Sequence, residues 1–200
     1  MSPPATLTPA PSHPLQQVYE WLLTCDRAIS RLLAYRLPHP PRLTRLVGIV
    51  SRAGDHGYIW YALASAPILG GRRQGGRYFA YVAGGQAAAE IVTYLIKTRC
   101  RRCRPPYDEG DPAGYIRRPQ SHSFPSAHAS MGVLGVTTLS RLYPRLRTPL
   151  AVLLAFLVFS RVYLRVHYAA DVAAGLLLGG VLADVYARMV RAPVDRDDGA

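Results

Sequence analysis

Apolar and polar positions alternate in blocks along this chain. Five apolar stretches, near 57–71, 78–96, 128–142, 149–164 and 169–190, are separated by short polar runs. A membrane-spanning helix needs roughly 20 apolar residues, with a lower limit of about 17. The second and fifth stretches meet that length, and the other three must borrow flanking residues. Gly70-Gly71, the arginine-rich run at 72–77, Pro144 and Pro149 mark the breaks. Glycine, alanine and serine recur inside the stretches, which suits close helix packing in lipid. No strand-like alternation of any length and no internal repeat interrupts the pattern. The expectation is an all-α fold, a polytopic membrane helical bundle of about five transmembrane helices.

The region before the first stretch reads differently. Residues 1–16 form a polar, proline-rich segment without the basic start and apolar core of a cleavable signal. A flexible tail is expected there, with insertion left to the internal helices. Between 17 and 36, Val18, Leu22, Cys25, Ile29 and Leu32 share one helical face, while Glu20, Asp26, Arg27 and Arg31 interrupt the rest. This predicts an N-terminal amphipathic interfacial helix, stopped by Pro38, Pro40 and Pro41. A second amphipathic piece near 43–53 sets Arg45 and Arg52 beside Leu43, Leu46 and Val47. The organisation that follows is a tail at 1–16, interfacial helices at 17–54, a membrane core at 55–191 and a tail at 192–200.

Charge narrows the function. Half the residues are hydrophobic, yet the formal net charge is +12 and the isoelectric point about 10.1. Such a chain is either a nucleic-acid binder or a membrane protein with cationic loops. The arginines lie in short runs between apolar stretches rather than on one face, and no aromatic-basic RNA-binding signature appears. A membrane partner is expected, and no nucleic acid. Lys97 is the only lysine among 24 basic residues.

Three polar clusters sit at the ends of apolar stretches. Lys97 and Arg104 are seven residues apart, about two helical turns, so both fit one helix face that Pro105 would end. Two cations there can clamp a phosphate, arginine gripping two oxygens and lysine acting as a point charge. Pro125-Ser126-Ala127-His128 opens a span, and a helix N-terminus suits an anion. Ser126 adds a hydroxyl, and His128 can supply a proton near neutral pH. Ser160-Arg161, His167 and Asp171 form the third cluster. His167 and Asp171 are one turn apart, so the carboxylate can take a proton from one ring nitrogen and leave the other free to attack, while Arg161 binds the phosphate under attack. Each cluster alone has a plain reading as well: a membrane-anchoring basic loop, an N-cap serine with an interfacial histidine, and a charge-paired helix start.

Taken together, K-x6-R-P at 97–105, P-S-x-H at 125–128 and S-R-x5-H-x3-D at 160–171 resemble the three motifs of the type 2 phosphatidic acid phosphatase family, which shares its site with vanadium haloperoxidases. The resemblance covers roughly residues 55–190, and the N-terminal surface helix looks like the segment preceding the first core span in small bacterial members. It implies His167 as a nucleophile that becomes a phosphohistidine, Asp171 as the group that orients it, and His128 as proton donor to the leaving oxygen. Lys97, Arg104, Ser126, Ala127 and Arg161 would hold the phosphate. It implies no metal and no cofactor, since the cations come from the protein. The expected substrate is a lipid phosphate or pyrophosphate: polyprenyl pyrophosphate, phosphatidic acid, phosphatidylglycerol phosphate or a prenyl-linked phosphosugar. A phosphotransferase using the same histidine and a non-catalytic binder of anionic lipids are the competing readings. Two positions depart from the pattern. Ala127 stands where the family has glycine. Arg165 stands where small residues are common, and could either repel a bulky headgroup or meet a second phosphate.

Other features carry less. Cys100 and Cys103 form C-x2-C and, with His122 and His128, imitate a zinc site, but zinc would leave Lys97, Arg161, His167 and Asp171 unexplained. Two bystander thiols are expected, with a disulfide between them as the alternative if this side faces an oxidising compartment. Glu90, seven residues before Lys97, is expected to pair with a neighbouring arginine. The loops bearing Arg72, Arg73 and Arg77, then Arg141, Arg145 and Arg147, then Arg188 and Arg191 contain almost no acids and read as cytoplasmic. The opposite, catalytic side also carries Asp108, Glu109 and Asp111 and is expected to face outwards in the cell membrane. The six arginines from Arg27 to Arg52 argue the other way.

Overall fold

The computed structural model describes residues 13–106 and 118–193 of the chain. Most of the expected 1–16 tail, the end of the 192–200 tail, Asp108, Glu109, Asp111 and Arg117 lie outside the described residues. Among the described residues the fold is all-helical: α1 (Pro14–Tyr35), α2 (Pro41–Ala53), α3 (Tyr58–Leu69), α4 (Gly75–Cys100), α5 (Ala127–Leu142), α6 (Arg147–Tyr163) and α7 (Ala169–Met189).

Local chemistry sets the ends. Pro14 and Pro41 occupy first-turn positions, where a missing N–H costs nothing. Helix α4 closes on Arg101 in the left-handed conformation, φ 47°. Helix α7 opens on a reciprocal cap, in which Asp171 Oδ2 accepts the Tyr168 N–H at 2.9 Å.

The central element is α5, which packs against α4, α6 and α7. Its buried residues run from His128 through Ser130, Leu134 and Thr138 to Leu139. Close approach explains the small residues of α7. A Cβ on Gly175 would lie 2.5 Å from the Ser126 carbonyl oxygen, and one on Gly179 would lie 2.7 Å from that of Ser130.

Three helical segments are long and apolar enough to cross a membrane: Gly75–Cys100, Pro144–Tyr163 and Ala169–Met189. The 149–164 stretch, expected to be short, reaches 20 residues because a helical turn at Pro144–Leu146 runs into α6. Helices α3 and α5 have 12 and 16 residues. At 1.5 Å per residue those are about 18 and 24 Å, short of the ~30 Å hydrocarbon layer. Outward faces of the long helices are apolar, for example Leu177, Val181 and Val185 on α7 and Val152, Phe156 and Phe159 on α6.

Helix α1 is amphipathic as the pattern predicts. Val18, Leu22, Ile29 and Leu32 point away from the bundle, each more than half exposed, while Asp26, Ser30 and Ala34 are buried against it. Helix α1 packs on α6 and α7, and α2 packs on α6.

Candidate active site

One end of the bundle gathers residues from four helices and two loops. Lys97, Arg104, Ala127, His128, Arg161 and His167 line one cavity of about 310 Å³, together with Asp55, Glu90 and Tyr94. Because the cavity receives the C-terminal ends of α4 and α6 and the N-terminal end of α5, these neighbours run antiparallel. Ser126 and Asp171 lie just behind the wall, with the Ser126 N–H donating to the Asp171 carbonyl at 2.9 Å. The Ser126 side chain is fully buried.

Arg104 reaches the cavity from an extended segment, not from a helix face shared with Lys97. The left-handed turn at Arg101 takes the chain out of α4 first. Lys97 Nζ donates to the His122 carbonyl at 2.7 Å, and Arg104 donates to Ser121 O at 2.8 Å and Val166 O at 2.7 Å. Both cations are therefore tied to the loop that leads into α5. Arg161, 2 % exposed, donates to the Ser51 hydroxyl from beneath.

The tautomer of His167 follows from its neighbours. Arg104 Nη1 lies 3.1 Å from His167 Nε2, and a guanidinium only donates, so Nε2 accepts. The proton then sits on Nδ1, 3.4 Å from Asp171 Oδ2. That contact is loose and off the hydrogen-bond direction, a common state for catalytic pairs before substrate tightens them. Burial, reinforced by the charges of Arg161, Arg104 and Lys97, holds the His167 imidazole well below its ordinary value near 6.5 and keeps it neutral. Burial also draws Arg104 down from its ordinary value to about 10, still protonated at neutral pH.

His128 Nε2 lies 3.0 Å from the Ser51 carbonyl and 3.2 Å from Asp55 Oδ1. A carbonyl only accepts, so Nε2 carries the proton. Burial pushes the Asp55 carboxyl up, but its hydrogen bond to His128 and the charge of Arg161 outweigh that and leave it below its ordinary 3.8. Among the described residues, Ser126 Oγ, Arg161 Nε and His167 Nδ1 are buried without hydrogen-bond partners. An uncompensated buried polar group is costly, and the Ser126 hydroxyl and Arg161 Nε beside one cation-lined hollow mark a place where an oxyanion would satisfy them, while His167 Nδ1 faces Asp171.

Several neighbours escaped the sequence reading. Ser51 and Asp55 belong to α2 and the turn after it, more than 70 residues from the histidine they touch. Arg102 donates to Asp171 Oδ1 at 2.6 Å and also to Asp26 of α1. In sequence it was one member of a basic run. Glu90 pairs with His56 Nδ1 at 2.7 Å rather than with an arginine. Arg165 stands outside this cavity: its guanidinium lies 4.2 Å from the Tyr35 ring centroid, and it lines a separate hollow with Arg27 and Arg31. Cys100 and Cys103 are exposed and unbridged. Among the described residues no group of three His, Cys, Asp or Glu converges as a metal site.

Comparison with known proteins then decides the family. The model of the PAP2 superfamily matches residues 78–195, more than half of the chain. The chain belongs to the PAP2 superfamily. The fold agrees. A transmembrane PAP2-type phosphatidylglycerolphosphate phosphatase from Bacillus subtilis superposes with a TM-score of 0.65 at 20% identity, covering 84% of this chain and 86% of that one. LpxE from Aquifex aeolicus gives a TM-score of 0.65 at 20% identity, covering 80% of this chain and 93% of that one. No curated protein matches in sequence. Membership of the PAP2 superfamily, with its membrane helical bundle, makes this chain a membrane phosphatase. The match begins at Tyr78, so α1, α2 and α3 lie outside it.

Proposed function

We propose that this PAP2 member hydrolyses a lipid phosphate or pyrophosphate through a phosphohistidine formed on His167. The observation that carries the reading is the fixed tautomer of His167: a neutral imidazole with its proton towards Asp171 and its Nε2 lone pair towards the cations. Lys97, Arg104, Arg161, the Ser126 hydroxyl and the backbone N–H groups at Ala127 hold the phosphate oxygens. Nε2 attacks phosphorus, the bond to the leaving oxygen breaks, and His128, as imidazolium beside Asp55, supplies the proton that oxygen needs and returns to neutral imidazole. Water then attacks the phosphohistidine, His128 takes the proton back, and inorganic phosphate leaves. Positioning and charge stabilisation supply most of the rate in such a transfer.

The lipid substrate is supported by geometry. The cavity opens at one end of a bundle whose outer faces are apolar, so a substrate can keep its tail in the bilayer while its headgroup enters. The phosphatidylglycerolphosphate phosphatase with the same fold lends support to a phospholipid headgroup. The test is phosphate release from a panel of lipid phosphates and pyrophosphates in detergent with chelator present. Wild type is expected to turn over, His167→Ala to lose at least about 10³-fold in kcat, and His128→Ala about 10²-fold or more. Full turnover by His167→Ala, or release that stops with chelator, would overturn the mechanism.

A further inference from the structure

We propose that helix α1 is part of the catalytic apparatus: Asp26 holds Arg102, Arg102 holds Asp171, and both Asp26 and Arg102 are positioning residues for the His167 nucleophile. This rests on the phosphohistidine reading above and extends it to an element outside the matched family region.

The geometry is specific. Asp171 is completely buried, and its two oxygens are divided between tasks. Oδ2 accepts the Tyr168 N–H at 2.9 Å and faces His167 Nδ1, while Oδ1 accepts Arg102 Nη1 at 2.6 Å. The other arm of the same guanidinium, Nη2, donates to Asp26 Oδ2. Asp26 is divided in the same way, its Oδ1 accepting the Ala170 N–H at 2.9 Å. One turn along α1, Ser30 Oγ accepts the Ala169 N–H at 2.8 Å. The Arg102 guanidinium carbon also lies over the Tyr168 ring, 4.2 Å from its centroid. Helix α1 thus caps the N-terminal turn of α7 with two side chains and grips the arginine that grips Asp171.

Charge accounting explains why the parts belong together. Two buried carboxylates face one guanidinium, so removing Arg102 leaves two like charges with no cation between them. Removing the charge of Asp26 frees one arm of Arg102 and loosens the fork that fixes the plane of the Asp171 carboxylate. A planar arginine suits this bridge because it can donate to both partners at once, which an ammonium does less well. The plane of Asp171 matters because the contact from Oδ2 to Nδ1 is already long, at 3.4 Å. Neither Asp26 nor Arg102 lines the candidate phosphate cavity, so phosphate affinity should be spared.

The experiment uses the full-length protein in detergent with dioctanoyl phosphatidic acid as substrate and inorganic phosphate as competitive inhibitor. Asp26→Asn, Arg102→Gln, Arg102→Lys and the double variant Asp26→Asn/Arg102→Gln are compared with wild type and His167→Ala. The first two should lose about 10- to 100-fold in kcat, the range seen when outer partners of a functional histidine are removed. KM and the inhibition constant of phosphate should stay within about twofold. Arg102→Lys should recover part of the loss, and the double variant should be no worse than the poorer single variant. Wild-type kcat in both Asp26→Asn and Arg102→Gln would overturn the proposal. So would losses that multiply in the double variant, losses that appear equally in KM and phosphate affinity, or losses that follow only a fallen thermal midpoint. If His167→Ala still turns over, the nucleophile assignment itself fails. If His167→Ala is dead while the clamp variants match wild type, only the clamp fails.

Discussion

Ala127 departs from the family pattern without straining the backbone. It is the first residue of α5, in ordinary right-handed helix, and is absent from the residues with positive φ. It lines the candidate cavity without backbone strain. Ala127→Gly should therefore change kcat/KM by less than about threefold, measured on the best lipid phosphate of the panel. His167 makes a second prediction at this scale. Its imidazole is held well below 6.5 by burial and three cations, so the neutral form of this proposed nucleophile persists into acid. The acid limb of kcat/KM against pH should lie clearly below pH 6.5, and a limb at or above 6.5 would contradict the burial argument. Stability carries the opposite consequence. Below 6.5 the unfolded chain binds a proton at this residue that the folded chain refuses, so stability falls as pH falls towards the lowered folded value.

At the scale of elements, the spacing of each cluster was legible because it is a local property. His167 and Asp171 are one turn apart, and Ser126 and His128 sit at the start of one helix. What could not be read were contacts made across the chain. Asp26 looked like a polar break in an amphipathic segment, and Ser51 and Asp55 stood out for nothing, because their partners lie between 73 and 144 residues away. Arg104 shows a second limit: seven residues fit two turns of helix, but the chain leaves α4 at Arg101. Helix boundaries were otherwise close, since prolines and glycines punctuate them. The α5–α7 contact offers its own test. Gly175→Ala would drive a methyl to 2.5 Å from the Ser126 carbonyl, whereas a methyl at Gly180 meets nothing within 4 Å. The first should cost about 1–3 kcal/mol of stability in detergent and reduce activity by shifting Ser126, while the second should be neutral or slightly stabilising.

At the scale of the whole molecule, α1 turns a polar face to the bundle and an apolar face outwards, the reverse of a helix on a water-soluble domain. That arrangement suits a segment resting on lipid while its acids serve the protein interior. The bundle's opposite ends also differ in a way that can be exploited. Cys100 and Cys103 are exposed on the end that carries the phosphate cavity, and Cys25 is only partly covered. With Cys25 replaced by serine, these two thiols become reporters of sidedness. A maleimide too polar to cross the bilayer should label them in intact cells if the cavity opens away from the cytoplasm. Labelling that waits until the membrane is broken would place dephosphorylation on the cytoplasmic leaflet. The pair that looked like an idle zinc motif would then show in which leaflet the cell consumes the lipid.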